Sequence, residues 1–125
     1  LPWLKAQEDA QLALFDANDY IYQTWAYETH HVSTTPGMNG DYVKALRAIK
    51  AKTLIMTGTK DLLNPEWEPL EAARYIRDVR TVPINPDSVT GHFAAGGFIP
   101  ADVEQINMEV ERLLDIVTQR AAKLR

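Results

Sequence analysis

The chain has 125 residues, of which 46% are hydrophobic and 24% charged, with a net charge of −4 and a pI near 5.3. That balance suits a packed domain and excludes a disordered tail. It also argues against nucleic acid as a partner, because the basic residues are scattered apart from Arg120, Lys123 and Arg125.

No apolar run approaches the ~18–20 residues that cross a bilayer, and no signal-peptide pattern opens the chain. A cytoplasmic setting without membrane contact is the expectation. Cysteine is absent, which removes disulfides, thiolate metal sites and a cysteine nucleophile. The histidines are His30, His31 and His92, and none sits in an H-x-x-x-H or H-E-x-x-H spacing, so no metal site and no bound cofactor are expected.

In chain order, Trp3 to Tyr27 reads as helix, with Leu12, Phe15, Asp19, Tyr22 and Ala26 at three- and four-residue intervals and Asp19 breaking the apolar stripe. Tyr22, Trp25 and Tyr27 read as core or lid packing. The segment His30 to Gly40 is rich in Ser, Thr, Pro, Asn and Gly and reads as loop, with both histidines near a helix C-terminus. A short amphipathic helix is expected from Asp41 to Lys50. Thr53 to Gly58 (TLIMTG) is a compact apolar run closed by glycine, the pattern of a parallel strand buried on both faces. After a loop, Asn64-Pro65-Glu66 reads as the cap and first turn of a helix running to Asp78, with Pro69 able to displace its start by a turn. Thr81 to Ile84 reads as a second strand, irregular or at an edge because of Pro83. Asn85 to Gly91 reads as loop and Ala94 to Pro100 as a flexible glycine-rich stretch. The last helix, from Asp102 to Arg120, carries Val103, Ile106, Val110, Leu113, Leu114 and Val117 as an apolar stripe.

Strand, helix and strand in this order imply a parallel βαβ unit. Two such strands need neighbours to satisfy their backbone and cover their faces, so an α/β fold that is incomplete by itself is expected. The abrupt start at Leu1 points the same way, to a fragment or processed subunit.

Asp61 follows the glycine that closes the first strand, and His92 lies in the loop after the second. In open parallel sheets, functional groups gather at the carboxyl ends of strands. Alone, Asp61 reads equally well as a loop acid bonding backbone N–H groups, and His92 as a histidine packed under a glycine-rich loop. Together, in the order acid then histidine, they favour the acid and base of a serine triad.

Three stretches resemble the homoserine O-acetyltransferase family, a branch of the α/β-hydrolases. They are Phe15 to Tyr20 (FDANDY), Ile49-Lys50-Ala51 with the strand and Asp61-Leu62-Leu63-Asn64-Pro65, and Gly91-His92-Phe93-Ala94. The likeness runs from about Leu14 to Leu114. It implies the C-terminal part of an α/β-hydrolase fold, with residues 1–40 ending a lid region and 41–125 forming the βαβα end of the core. It also implies that Asp61 and His92 are the triad acid and base, and that acetyl-CoA is the acyl donor if the enzyme is a transferase.

Two departures accompany the likeness. No G-x-S-x-G elbow is present, and Ser33 and Ser88 lie outside any such context, so the nucleophile is expected on an N-terminal segment or partner chain. Phe93 stands where the family has the Asp associated with the homoserine amino group, so the expected substrate is an ester, thioester or alcohol other than homoserine. The rival readings are an esterase that passes the acyl group to water, and a non-catalytic subunit that kept the fold.

Overall fold

Residues 1–14 and 16–123 are described by a computed structural model, in the order helix, helix, helix, strand, helix, strand, helix. Its centre is a pair of parallel strands, β1 (Thr53–Gly58) and β2 (Val79–Ile84). They pair in an unbroken register from Thr53 opposite Val79 to Gly58 opposite Ile84, so both strands end at the same level. A short helix, α4 (Trp67–Ala73), crosses between them and packs on both. The long helix α5 (Pro100–Lys123) packs on both strands as well. The result is a mixed helix and strand unit with a small parallel sheet, compatible with part of an α/β fold. No described helix is long and apolar enough to cross a membrane.

The core is small. Leu46, Ala73, Ile76, Ile84 and Ala94 are the buried apolar side chains among the described residues. β1 was expected to be buried on both faces, yet only Thr57 is buried and the rest of the strand is half-covered. One strand neighbour and two helices do not enclose it.

The edge of β2 is finished by a side chain. Pro83, opposite Thr57, has no N–H to offer a further strand, which fits the edge position expected for it. Gln105 of α5 then engages the backbone groups a neighbouring strand would use. Its Nε2 donates to the Pro83 carbonyl at 2.9 Å, and its Oε1 accepts from the Asn85 N–H. An ion pair between Arg80 and Glu109 fastens the same helix to the same strand.

Elsewhere the boundaries differ from the sequence reading in instructive ways. The single helix expected over Trp3 to Tyr27 is two, α1 (Pro2–Leu14) and α2 (Ala17–Thr29). Asp16 separates them: its backbone is extended and its carboxylate accepts from the Asn18 N–H at 2.7 Å, so it starts a new helix. Phe15, placed on the expected stripe, lies outside the described residues, as do the side chains of Arg120, Lys123 and Arg125. Tyr22, Trp25 and Tyr27 do not pack in the core; each is more than half exposed. Asp41 caps α3 (Tyr42–Arg47) through the Lys44 N–H at 2.8 Å, as its position suggested. The loop after α2 holds a single 3₁₀ turn, Val32–Thr34, packed on α3.

The helix expected from Asn64 begins later, at Trp67, with no side-chain cap, because the Asn64 side chain is used elsewhere. Of the stretch Ala94 to Pro100, expected to be flexible, the first three residues belong to a 3₁₀ helix at Gly91–Gly96, in which Ala94 is buried. β2 and α5 each begin two residues earlier than expected.

Replacing Gln105 by Ala leaves the Pro83 carbonyl and the Asn85 N–H without their partner. The expected cost is about 0.5–1.5 kcal/mol of stability, the usual net worth of a hydrogen bond, because the exposed Pro83 carbonyl can turn to water and only the Asn85 N–H is part-buried. Chemical denaturation of Q105A against the parent protein checks it, with the midpoint expected to fall at unchanged slope.

Candidate functional site

The level ends of β1 and β2 release two loops side by side. The first is a tight turn in which the Asp61 N–H donates to the Gly58 carbonyl at 3.1 Å. The second leads into Gly91, whose φ of +54° is left-handed. A Cβ on Gly91 would sit 2.8 Å from the Lys60 carbonyl oxygen, and one on Gly58 would sit 3.0 Å from the Gly91 carbonyl oxygen. Glycine at these two positions therefore lets the two backbones touch.

That approach brings Asp61 and His92 together. Asp61 Oδ2 lies 3.0 Å from His92 Nδ1. Asp61 Oδ1 accepts from the N–H groups of Leu63 at 2.9 Å and Asn64 at 2.8 Å. One oxygen of Asp61 thus shapes the loop, as a loop acid does, and the other faces the imidazole. The Asn64 N–H is the main reason its carboxyl lies below the usual carboxylate range; the His92 side chain and the Leu63 N–H act in the same sense, against desolvation.

The Asp61 side chain is only 10% exposed while the His92 ring is 38% exposed, so the acid is shielded and the imidazole is accessible. With Nδ1 turned to the carboxylate, Nε2 is the nitrogen left to face a reactant. Phe93 meets the His92 ring edge-on at a centroid separation of 5.4 Å and Phe98 in the same manner at 5.9 Å.

Helix α2 forms the facing wall of an open cleft of about 500 Å³, lined by Tyr20, Gln23, Thr24, Tyr27, Leu63, Asn64 and His92. The Tyr27 hydroxyl donates to Asn64 Oδ1 at 2.9 Å, and the Asn64 amide nitrogen lies 3.4 Å from His92 Nδ1. Tyr27 and Asn64 were missed as site residues. Asn64 reads in sequence as a helix cap, and only its place three residues after Asp61 hinted at a shared turn.

The other histidines lie apart from this cleft. The His30 N–H closes α2 on the Ala26 carbonyl at 3.0 Å, and His31 Nδ1 lies 2.6 Å from Ser33 Oγ. Both serines are buried and engaged, Ser33 with His31 and Ser88 with Asp102 at 2.6 Å. Neither reaches His92.

The chain is similar to curated proteins named homoserine O-acetyltransferase. The protein from Methanococcoides burtonii is 26% identical over 98% of this chain, which covers 25% of that protein. The protein from Ascobolus immersus is 39% identical over 74% of the chain, covering 17% of its own length. The one from Chloroherpeton thalassium is 32% identical over 59% of the chain, covering 19% of its length. The chain therefore spans about a quarter or less of the relatives it matches. No family model matches it, and no solved structure does.

Two outcomes are expected from this geometry. G91A forces a side chain into left-handed backbone and onto the Lys60 carbonyl, and should lose at least about 1–2 kcal/mol; a urea midpoint measures it. The lowered Asp61 carboxyl stabilises the fold when ionised, and that contribution is lost as pH falls through its folded-state value. Melting temperatures of the parent and D61N, recorded from neutral pH into acid, should therefore converge below the ordinary carboxylate range.

Proposed function

We propose, taking its similarity to part of the homoserine O-acetyltransferases as the premise, that this chain supplies the acid and the base of a serine acyl-transfer enzyme of α/β-hydrolase fold. The observation that carries the reading is the 3.0 Å contact between Asp61 Oδ2 and His92 Nδ1 at the carboxyl ends of adjacent parallel strands. A shielded carboxylate against an accessible imidazole is the pairing that general-base catalysis needs.

In this mechanism a serine outside these 125 residues attacks the carbonyl of an ester or thioester. Nε2 of His92 takes the serine proton and returns it to the leaving oxygen or sulfur. Asp61 holds the ring with Nδ1–H toward it and stabilises the imidazolium. The acyl group then passes to an alcohol, or to water in the hydrolytic variant, by the same proton shuttle in reverse. Acetyl-CoA is the proposed donor, as the resemblance to that family implies; the relatives' name carries the acetyl group alone.

The acceptor is proposed to be uncharged rather than homoserine. Phe93 flanks the imidazole, and the cleft beside it is walled by Tyr20, Gln23, Thr24, Tyr27, Leu63 and Asn64. Hydroxyls and amides there suit a polar neutral group, while an ammonium left without a carboxylate is costly to desolvate.

In the protein that carries this segment with its serine, H92A is expected to lose several orders of magnitude in kcat with the fold retained. D61N is expected to lose on the order of 10⁴ in kcat, by presenting the wrong partner to the imidazole. Near-normal turnover by H92A would remove the base assignment, and a loss of only about tenfold by D61N would return Asp61 to a loop role. For the acceptor, acetyl-CoA with homoserine is compared with an aryl acetate in water. Homoserine acetylation at kcat/KM above ~10⁴ M⁻¹s⁻¹ would place a carboxylate for the amine elsewhere in the protein.

A further inference from the structure

Asp102 is fully buried, the one large side chain among the described residues with no exposed surface. The described hydrogen-bond partners of its side chain all come from the loop between β2 and His92. Oδ1 accepts from Asn85 Nδ2 at 2.8 Å. Oδ2 accepts from the Ser88 hydroxyl at 2.6 Å and from the Thr90 hydroxyl at 3.4 Å. Ser88 Oγ and Thr90 Oγ1 lie 2.8 Å apart, so the donors form one cluster. The Ser88 hydroxyl chiefly, then Asn85 and Thr90, hold the carboxyl below the usual carboxylate range against desolvation.

Placing a carboxylate out of water is unfavourable unless it is hydrogen-bonded throughout, and an apolar residue fills such space more cheaply. A place in the first turn of α5 accounts for an acid there. It does not account for three donors drawn from a single loop. The chain topology does. Thr90 immediately precedes Gly91-His92, and Asp102 follows the 3₁₀ helix that carries them. The carboxylate therefore ties the two ends of the segment 91–101 together, with His92 near one end of the closed loop. Asp61 holds that loop at the His92 ring, and Gly91 presses on Lys60.

We propose that Asp102 is a positioning residue, whose tie across the neck of residues 91–101 sets the imidazole of His92 against Asp61. The proposal rests on the reading of His92 as a general base. It assigns Asp102 no contact with substrate. Releasing the neck lets the 3₁₀ segment shift, and a displacement of about 1 Å in a proton-transfer group costs on the order of 10²-fold in rate.

The test uses the complete protein and three readouts: steady-state kinetics, melting temperature, and hydrogen exchange followed by peptide mass. D102A is expected to lower kcat on the order of 10²-fold with KM unchanged, and to raise exchange in residues 85–96 while β1 stays protected. D102N keeps an acceptor and can donate to a hydroxyl, so it should recover most of the loss. A variant that melts lower but turns over normally per folded molecule would overturn the proposal. So would a rise in KM with kcat unchanged, or exchange that rises evenly through the fold. Should D102A fail to fold, S88A removes the shortest of the three bonds and the same readouts decide. H92A separates the two ideas. If it keeps full activity, the triad reading fails, while the exchange pattern of D102A still reports whether the tie holds the loop.

Discussion

Everything at the candidate site depends on two backbones coming closer than side chains permit. Gly58 ends one strand and Gly91 enters the loop beyond the other, and each lies against a carbonyl of the opposite loop. Register does the rest. Because β1 and β2 pair in step to their last residues, the loops leave at one level and an acid three residues past Gly58 meets a histidine directly after Gly91. A slip along the ladder would separate them by the rise of a strand residue, about 3.3 Å, more than a hydrogen bond tolerates.

Asp61 shows how economically such a site is made. A carboxylate has two oxygens, and here each has a separate task. The oxygen facing Leu63 and Asn64 fixes the turn that aims the other at His92. Choosing between a turn-forming acid and a ring-holding acid is therefore a false choice. The N–H groups that organise the loop also hold the Asp61 carboxyl below its usual range.

Much of this was legible in the sequence because it rests on local rules. TLIMTG closed by glycine marks β1, Asp41 marks the start of α3, and Asp61 and His92, singled out by their order, are brought within 3.0 Å of each other. What was not legible depends on partners distant in the chain. Asn64 and Pro65 have every local feature of a helix start, yet the Asn64 side chain is drawn to Tyr27, 37 residues away, and the helix begins beyond it. Asp16 breaks the first helix for the opposite reason, a local bond that periodicity does not register. Glycine content suggested flexibility over Ala94 to Pro100, but a small Ala94 buried beneath the turn orders its first part. Asp102 entered the sequence reading only as the start of the last helix, and nothing in its neighbours announces three donors arriving from another loop.

The side-chain amide of Gln105 on the rim of β2 also protects the sheet's edge. An exposed strand edge invites another strand, from the same protein or a different one. On the outer side of β2, Pro83 brings no N–H and the Gln105 amide already answers the carbonyl of Pro83 and the N–H of Asn85. That end of the edge is already satisfied. A single glutamine thus closes the C-terminal end of this edge, where a strand arriving from outside finds its pairing groups already taken.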